Sequence, residues 1–140
     1  MAIAFISLGS NLGNRAQYLS DARDAIRQNI GEIIAESSIF ENEAIGFQGN
    51  SFYNQVIKIN TALLPVILLQ SAEEIEKKMG RIKKTTPKDD IPAYTNRTID
   101  IDILLYDDLQ IDTEKLTIPH KKMYEREFVM KLLSELTINH

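Results

Sequence analysis

The sequence contains no cysteine, which excludes a disulfide framework and a thiolate zinc site and leaves oxygen or imidazole to hold any metal. It has only two histidines, His120 and His140. No apolar run approaches the roughly 20 residues that a membrane helix needs. Positive charge is not in excess: 16 Lys and Arg stand against 20 Asp and Glu, a formal net charge of −4. That balance argues against nucleic acid or an anionic membrane as partner. The opening Met1-Ala2-Ile3-Ala4-Phe5-Ile6 carries no basic stretch or cleavage pattern and does not read as a signal peptide. Internal repeats and low-complexity tracts are also missing, so a cytoplasmic location is expected.

What remains is an ordinary globular composition of 140 residues, 44% hydrophobic and 26% charged. This fits a single domain over residues 1–140 with a real core. Residues 2–8 read as a buried strand, broken by Gly9-Ser10-Asn11-Leu12-Gly13-Asn14. Asn14 is placed to cap a helix that carries Leu19, Ala22, Ile26 and Ile30 at helical spacing, with Gly31 as its stop. A second strand follows over 33–40, a loop over 42–51, and an alternating third strand over 52–61. Pro65 suits the first turn of a second helix, whose apolar face is Leu68, Ala72, Ile75 and Met79 and whose end is Gly80. Residues 81–96 hold little apolar material, the mark of a functional loop or lid. A fourth strand spans 97–106, then a turn, a short hairpin arm and a final helix from about Tyr124. The order β-α-β-β-α-β predicts an α+β, ferredoxin-like split βαβ sandwich. Its antiparallel sheet would carry helices on one face, plus a small C-terminal hairpin and helix appendix.

The sharpest chemical feature is Arg97-Thr98-Ile99-Asp100-Ile101-Asp102-Ile103-Leu104-Leu105. Alternate strand residues share a face, so the three isoleucines would point into the core. Asp100 and Asp102 would then stand together on the other face, about 7 Å apart along the backbone. Aspartate forms strands poorly and two like charges on one face repel. A hard divalent cation between them would reconcile the pattern; two incidental acids on a solvated face are the alternative. Two basic groups bracket this strand: Arg81, Lys83, Lys84, Lys88 and Arg97 before it, and His120, Lys121, Lys122 and Arg126 after it. In an acidic protein such bracketing suits a polyphosphate beside its metal. Residues 7–14 lead from strand to helix yet match neither phosphate-loop spacing, so a structural turn is expected there.

Several segments occur in a telling order: Leu8-Gly9-Ser10-Asn11-Leu12-Gly13, Phe52-Tyr53-Asn54-Gln55-Val56, Glu76 with Met79-Gly80-Arg81, the strand from Arg97 to Leu104, and Leu116-Thr117-Ile118-Pro119-His120. Together the chain resembles the 6-hydroxymethyl-7,8-dihydropterin pyrophosphokinases over nearly its whole length. The resemblance implies transfer of pyrophosphate from ATP to the pterin's hydroxymethyl oxygen, releasing AMP, in folate biosynthesis. It implies small-molecule substrates, no nucleic acid or membrane, and a monomer, with a dimer as the alternative. Asp100 and Asp102 would hold two Mg²⁺ ions, with Arg81 and Arg97 also serving catalysis. Phe52 and Phe128 would clamp the pterin, Asn54 would bond its edge, and Asn42, Glu43, Ala44 and Ile45 would complete that pocket. ATP would be met by Glu76, Arg81, Lys83, Tyr94, Arg97, Ile103, Lys115, Thr117, His120, Lys121 and Arg126. Residues 83–96 would form a lid, with Lys83 where the family usually has an arginine and Tyr94 where it has a tryptophan.

Overall fold

The computed structural model describes residues 1–11, 13–42, 51–80 and 99–137. The first strand, β1, runs from Ala2 to Ser10, two residues further than the apolar run suggests. Helix α1 spans Arg15–Asn29, and the Asn14 side chain accepts the Gln17 N–H as its cap. Strand β2 (Gly31–Glu36) starts immediately after the helix. Gly31 is needed there for space, because a Cβ would run into the backbone carbonyl of Asn60 on the neighbouring strand.

The expected second strand is split. A separate β3 occupies Phe40–Asn42, and Ser37 lies at the break. Its hydroxyl takes the Val56 N–H at 2.9 Å, while its own N–H donates to the Val56 carbonyl at 2.9 Å and its carbonyl accepts from the Gln55 amide. A side chain has replaced one rung of the ladder, so the strand leaves its regular path. Strand β4 then covers Phe52–Thr61, helix α2 covers Pro65–Lys78 with Pro65 in its first turn, and β5 covers Asp100–Tyr106. Short strands β6 (Ile111–Asp112) and β7 (Thr117–Ile118) pair as a hairpin arm. The 81–96 loop, residues 43–50 and the start of the fourth strand at 97–98 lie outside the described residues.

The sheet order is β2-β4-β1-β5, with every pairing antiparallel and β3 added beside β4. This is the ferredoxin-like arrangement that the element order predicts. On one face, Ile6, Leu8, Ile57 and Ile59 pack with Leu19 and Ile26 of α1 and Leu68 and Ile75 of α2. The C-terminal segment does more than append. A 3₁₀ turn at Met123–Glu125 leads into α3 (Glu127–Thr137), whose Val129, Leu132, Leu133 and Leu136 join Val56 and Leu104 in a second core. Helix α3 therefore covers the opposite face of the sheet, and β4 is buried on both sides from Asn54 to Ile57. Among the described residues no helix is long and apolar enough to cross a membrane.

If α3 closes a core of this kind, Leu132→Ala removes a side chain that is 1% exposed and leaves a cavity. The expected loss is about 2–5 kcal/mol in denaturant unfolding. A loss within about 0.5 kcal/mol, typical of a surface site, would mean that the second core contributes little.

Candidate active site

Strand β5 sets the site. Ile101 and Ile103 are 5% and 3% exposed and lie in the core beneath α1 and α2, while Asp100 and Asp102 turn to the α3 face and are only partly buried. The register carries this row across the sheet. Asp100 stands opposite Gly9 and Asp102 opposite Ser7 on β1, and on the far side Gly9 pairs with Asn54 and Ser7 with Val56. Further along β5, the pairing skips Leu104 between the Phe5–Leu105 and Ile6–Ile103 pairs. That bulge returns Tyr106 to the same core as Ile101 and Ile103, while Leu104, on the face of Asp100 and Asp102, lies in the core under α3.

Gly9 leaves a notch between Asp100 and Asn54. A Cβ there would come within 3.1 Å of Asn54 Oδ1 and 3.8 Å of the Phe52 ring. Asn54 is buried, and Phe40 pairs with it from β3. The ring that stacks on Phe128, at the start of α3, is Phe40, with centroids 6.1 Å apart and planes 8° from parallel. The sequence pattern marks neither Gly9 nor Phe40: Gly9 falls among the residues that break the apolar run, and Phe40 carries no signal until the β3–β4 register places it beside Asn54.

The second wall comes from the segment after β7. The Ile118–Pro119 peptide is cis, and the His120 N–H donates to the Leu104 carbonyl at 3.0 Å, tying the loop to the outer edge of β5. The Lys122 N–H donates to His120 Nδ1 at 3.2 Å. Neutral His120 therefore carries its proton on Nε2, which lies 3.9 Å from Asp102 Oδ1. Arg126 reaches the other oxygen of the same carboxylate, again at 3.9 Å. Both distances exceed a hydrogen bond, so neither of these two side chains bonds the Asp102 carboxylate directly. Burial holds the His120 pKa below its ordinary value of 6.5; Arg126, Lys122 and Lys121 push the same way and Asp100 opposes them. At neutral pH this side chain is an uncharged Nε2–H donor.

Beside this wall a cleft of about 230 Å³ is lined by Asp102, Ile103, Lys115, Thr117, His120 and Lys121, with Leu69, Ile101, Glu114, Leu116 and Lys122 completing it. Six of the residues expected to meet a nucleotide or its metal thus share one cleft. Glu76 lies behind it, buried, and its Oε2 accepts the Ile101 N–H at 2.7 Å. It satisfies a donor on the outer edge of β5, which no strand covers among the described residues. Of the remaining candidates, Glu43, Ala44, Ile45, Arg81, Lys83, Tyr94 and Arg97 lie outside the described residues, and Asn42 is described only as the last residue of β3.

The donor set suits a hard cation. Two carboxylates on one strand face, beside a cleft lined with cationic and hydroxyl groups, match what Mg²⁺ takes from proteins: one or two carboxylates, with substrate phosphates supplying further oxygens.

Known proteins bear on this geometry. A family model described as 7,8-dihydro-6-hydroxymethylpterin-pyrophosphokinase matches residues 5–138. The chain is 38% identical over 136 residues to the 2-amino-4-hydroxy-6-hydroxymethyldihydropteridine pyrophosphokinase of Bacillus subtilis, covering 96% of this chain and 77% of that one. It is 36% identical to the protein of the same name from Porphyromonas gingivalis, covering 97% and 91%. Among solved structures, an HPPK-DHPS chain of Plasmodium falciparum superposes with a TM-score of 0.72 at 17% identity over 95% of this chain. The chain spans only 40% of that longer one, and the likeness bears on the fold alone. Sequence similarity along almost the entire chain therefore places it in the 7,8-dihydro-6-hydroxymethylpterin-pyrophosphokinase family, whose members transfer pyrophosphate to hydroxymethyldihydropterin in folate biosynthesis.

Proposed function

We propose that the pyrophosphate donor is ATP, that the reaction releases AMP, and that the notch and the cleft on either side of the Asp100–Asp102 pair hold the two substrates. One observation carries this reading. Asp102 faces the notch side of β5 in register with Ser7 and also lines the cationic cleft, so one carboxylate borders both compartments. In the notch, Asn54 bonds the edge of the pterin, while Phe52 and Phe128 hold its faces with Phe40 backing Phe128. In the cleft, Lys115, Thr117, His120 and Lys121 meet the nucleotide, with Arg126 beside Asp102. Arg81, Lys83, Tyr94 and Arg97 from the 81–97 segment complete the nucleotide side, and Glu43, Ala44 and Ile45 the pterin side. Residues 1–140 act as one domain in this reading, supported by the single sheet that both cores share.

The hydroxymethyl oxygen attacks the β-phosphorus and the bond from that phosphorus to the α,β-bridging oxygen breaks. The electron pair leaves on AMP, and the hydroxyl proton is released. Little covalent chemistry is asked of the protein, so its residues work by positioning and charge. Asp100 and Asp102 would hold two Mg²⁺ ions, which when bound neutralise phosphate charge and polarise phosphoryl oxygens. Neutral His120 contributes an Nε2–H donor and Arg126 a fixed positive charge, both prearranged within 4 Å of Asp102.

Incubation with ATP, Mg²⁺ and hydroxymethyldihydropterin is expected to form AMP in proportion to the pterin consumed. ADP, or free pyrophosphate, as the product would overturn the assignment. Asp100→Asn and Asp102→Asn should each lower turnover by about 10²-fold or more, the scale of losing one preorganised electrostatic group. The melting temperature should hold within a few degrees, because partly exposed ion pairs contribute at most about 1 kcal/mol. Loss of folding instead would make the carboxylates structural.

Metal binding has its own readout in His120. Without Mg²⁺ its titration by NMR should be centred below 6.5, because burial and three cations outweigh Asp100. A cation held at Asp100 offsets a contribution that raises this pKa, so Mg²⁺ should move the midpoint lower still. An unchanged or rising midpoint would place the ion elsewhere.

A further inference from the structure

Arg15 is the first residue of α1, an odd place for a cation. The helix N-terminus carries the positive end of the macrodipole, and the first turn here holds no acid to offset it. Its side chain turns away from the helix toward the sheet. One guanidinium nitrogen donates to the Ser51 carbonyl at 2.8 Å and to the Ser51 hydroxyl at 2.7 Å. The same nitrogen lies 3.6 Å from the Glu41 carboxylate, to which the Ser51 hydroxyl itself donates. The guanidinium also stacks over the Tyr53 ring, 4.2 Å from its centroid.

These partners share a geometric property. Glu41 and Tyr53 are directly opposed in the β3–β4 ladder, and Ser51 precedes Tyr53 by two residues, so all three project to the α1 face. The residues between them, Phe40, Phe52 and Asn54, project to the other face, where the notch over Gly9 lies. Among the described residues strand β3 contributes three pairs, Phe40–Asn54, Glu41–Tyr53 and Asn42–Phe52. A slip of one residue in this register would exchange the two faces and turn Phe52 and Asn54 away from the notch.

We propose that Arg15 is a positioning residue for the acceptor: it grips β3 and β4 from behind the sheet and so holds Phe40, Phe52 and Asn54 toward the pterin. This rests on the assignment of the notch to the pterin. Arginine suits the task because its planar fork bonds and stacks at once, which a lysine ammonium cannot do. The exposed Glu41 carboxylate adds little alone; the twofold grip on Ser51 and the stacked ring carry the effect.

The test compares Arg15→Ala and Arg15→Lys with Asn54→Ala and Phe128→Ala. It measures the KM for hydroxymethyldihydropterin at saturating ATP, and the Kd of Mg-ATP alone by calorimetry. For Arg15→Ala the pterin KM should rise about tenfold, the scale of one lost charge-assisted hydrogen bond, with ATP affinity within about twofold of wild type. Arg15→Lys should recover only part of the loss. If Arg15→Ala does not fold, Ser51→Ala removes the gripped hydroxyl and should move the pterin KM alone, by about threefold. Equal weakening of both substrates, or an unchanged pterin KM while Asn54→Ala and Phe128→Ala raise it, would overturn the role of Arg15 and leave the notch assignment standing. An unchanged pterin KM in Asn54→Ala and Phe128→Ala would instead overturn the notch assignment itself.

Discussion

The two-residue period of strand β5 is the constraint on which the rest of the site depends. Burying Ile101 and Ile103 stabilises the strand by about 1.5–3 kcal/mol each. Two carboxylates about 7 Å apart near water repel by roughly 0.6 kcal/mol, and by a few times that at a protein surface. Burial therefore wins, and the acids are held on one face by the apolar side chains that alternate with them. The carboxylate pair is a consequence of hydrophobic anchoring one residue to either side. This is why a strand so poorly suited to aspartate still forms in its place.

An edge strand with a functional face needs its outer backbone groups answered, and two devices do so here. Glu76 reaches from α2 to accept the Ile101 N–H, and the His120 N–H donates to the Leu104 carbonyl. Each contact has a second result. The first joins α2 to the strand behind the carboxylates, and the second brings an imidazole beside Asp102. Alternation lets β5 serve both cores, with Leu104 under α3, and the bulge at Leu104 shifts the pattern so that Tyr106 falls under the α1–α2 layer. Strand edge, bulge and hairpin arm are thus one mechanical unit that aims Asp102 and His120 at each other.

This division explains what could be read from the chain in advance. The two helices, their Asn14 and Pro65 starts, the alternation of β5 and the overall strand order follow from periodicity and capping, which act within a few residues. The break at Ser37 was not legible, because it depends on a hydroxyl meeting Val56 from another strand. Nor was the weight of α3, since an amphipathic helix does not announce which face of which sheet it will cover. In the site, Asp100, Asp102 and the His120–Arg126 cluster are visible as residue types at fixed spacing. Gly9, Phe40 and Arg15 are not, because a notch, a stacked ring and a grip from behind exist only once β1, β3 and β4 are in register.

That register also gives the scale of the notch proposed for the acceptor. Neighbouring strands lie about 4.8 Å apart, so two steps, β5 to β1 and β1 to β4, set Asp100 and Asn54 roughly 10 Å from each other across Gly9. The span suits a flat two-ring heterocycle lying over the glycine, its edge toward Asn54 and its substituent toward the carboxylates. A side chain at Gly9 would fill the space between them and press on Asn54 Oδ1. On the other flank, Arg126 and His120 stop 3.9 Å short of Asp102, so neither neutralises it by direct hydrogen bonding. Arg126 stands beside this carboxylate and Lys115 and Lys121 line the same cleft, so positive charge lies where the proposed polyphosphate would bring negative charge. In the proposed reaction, then, the protein's main contribution is to hold a charge arrangement apart at the separation the substrates will occupy.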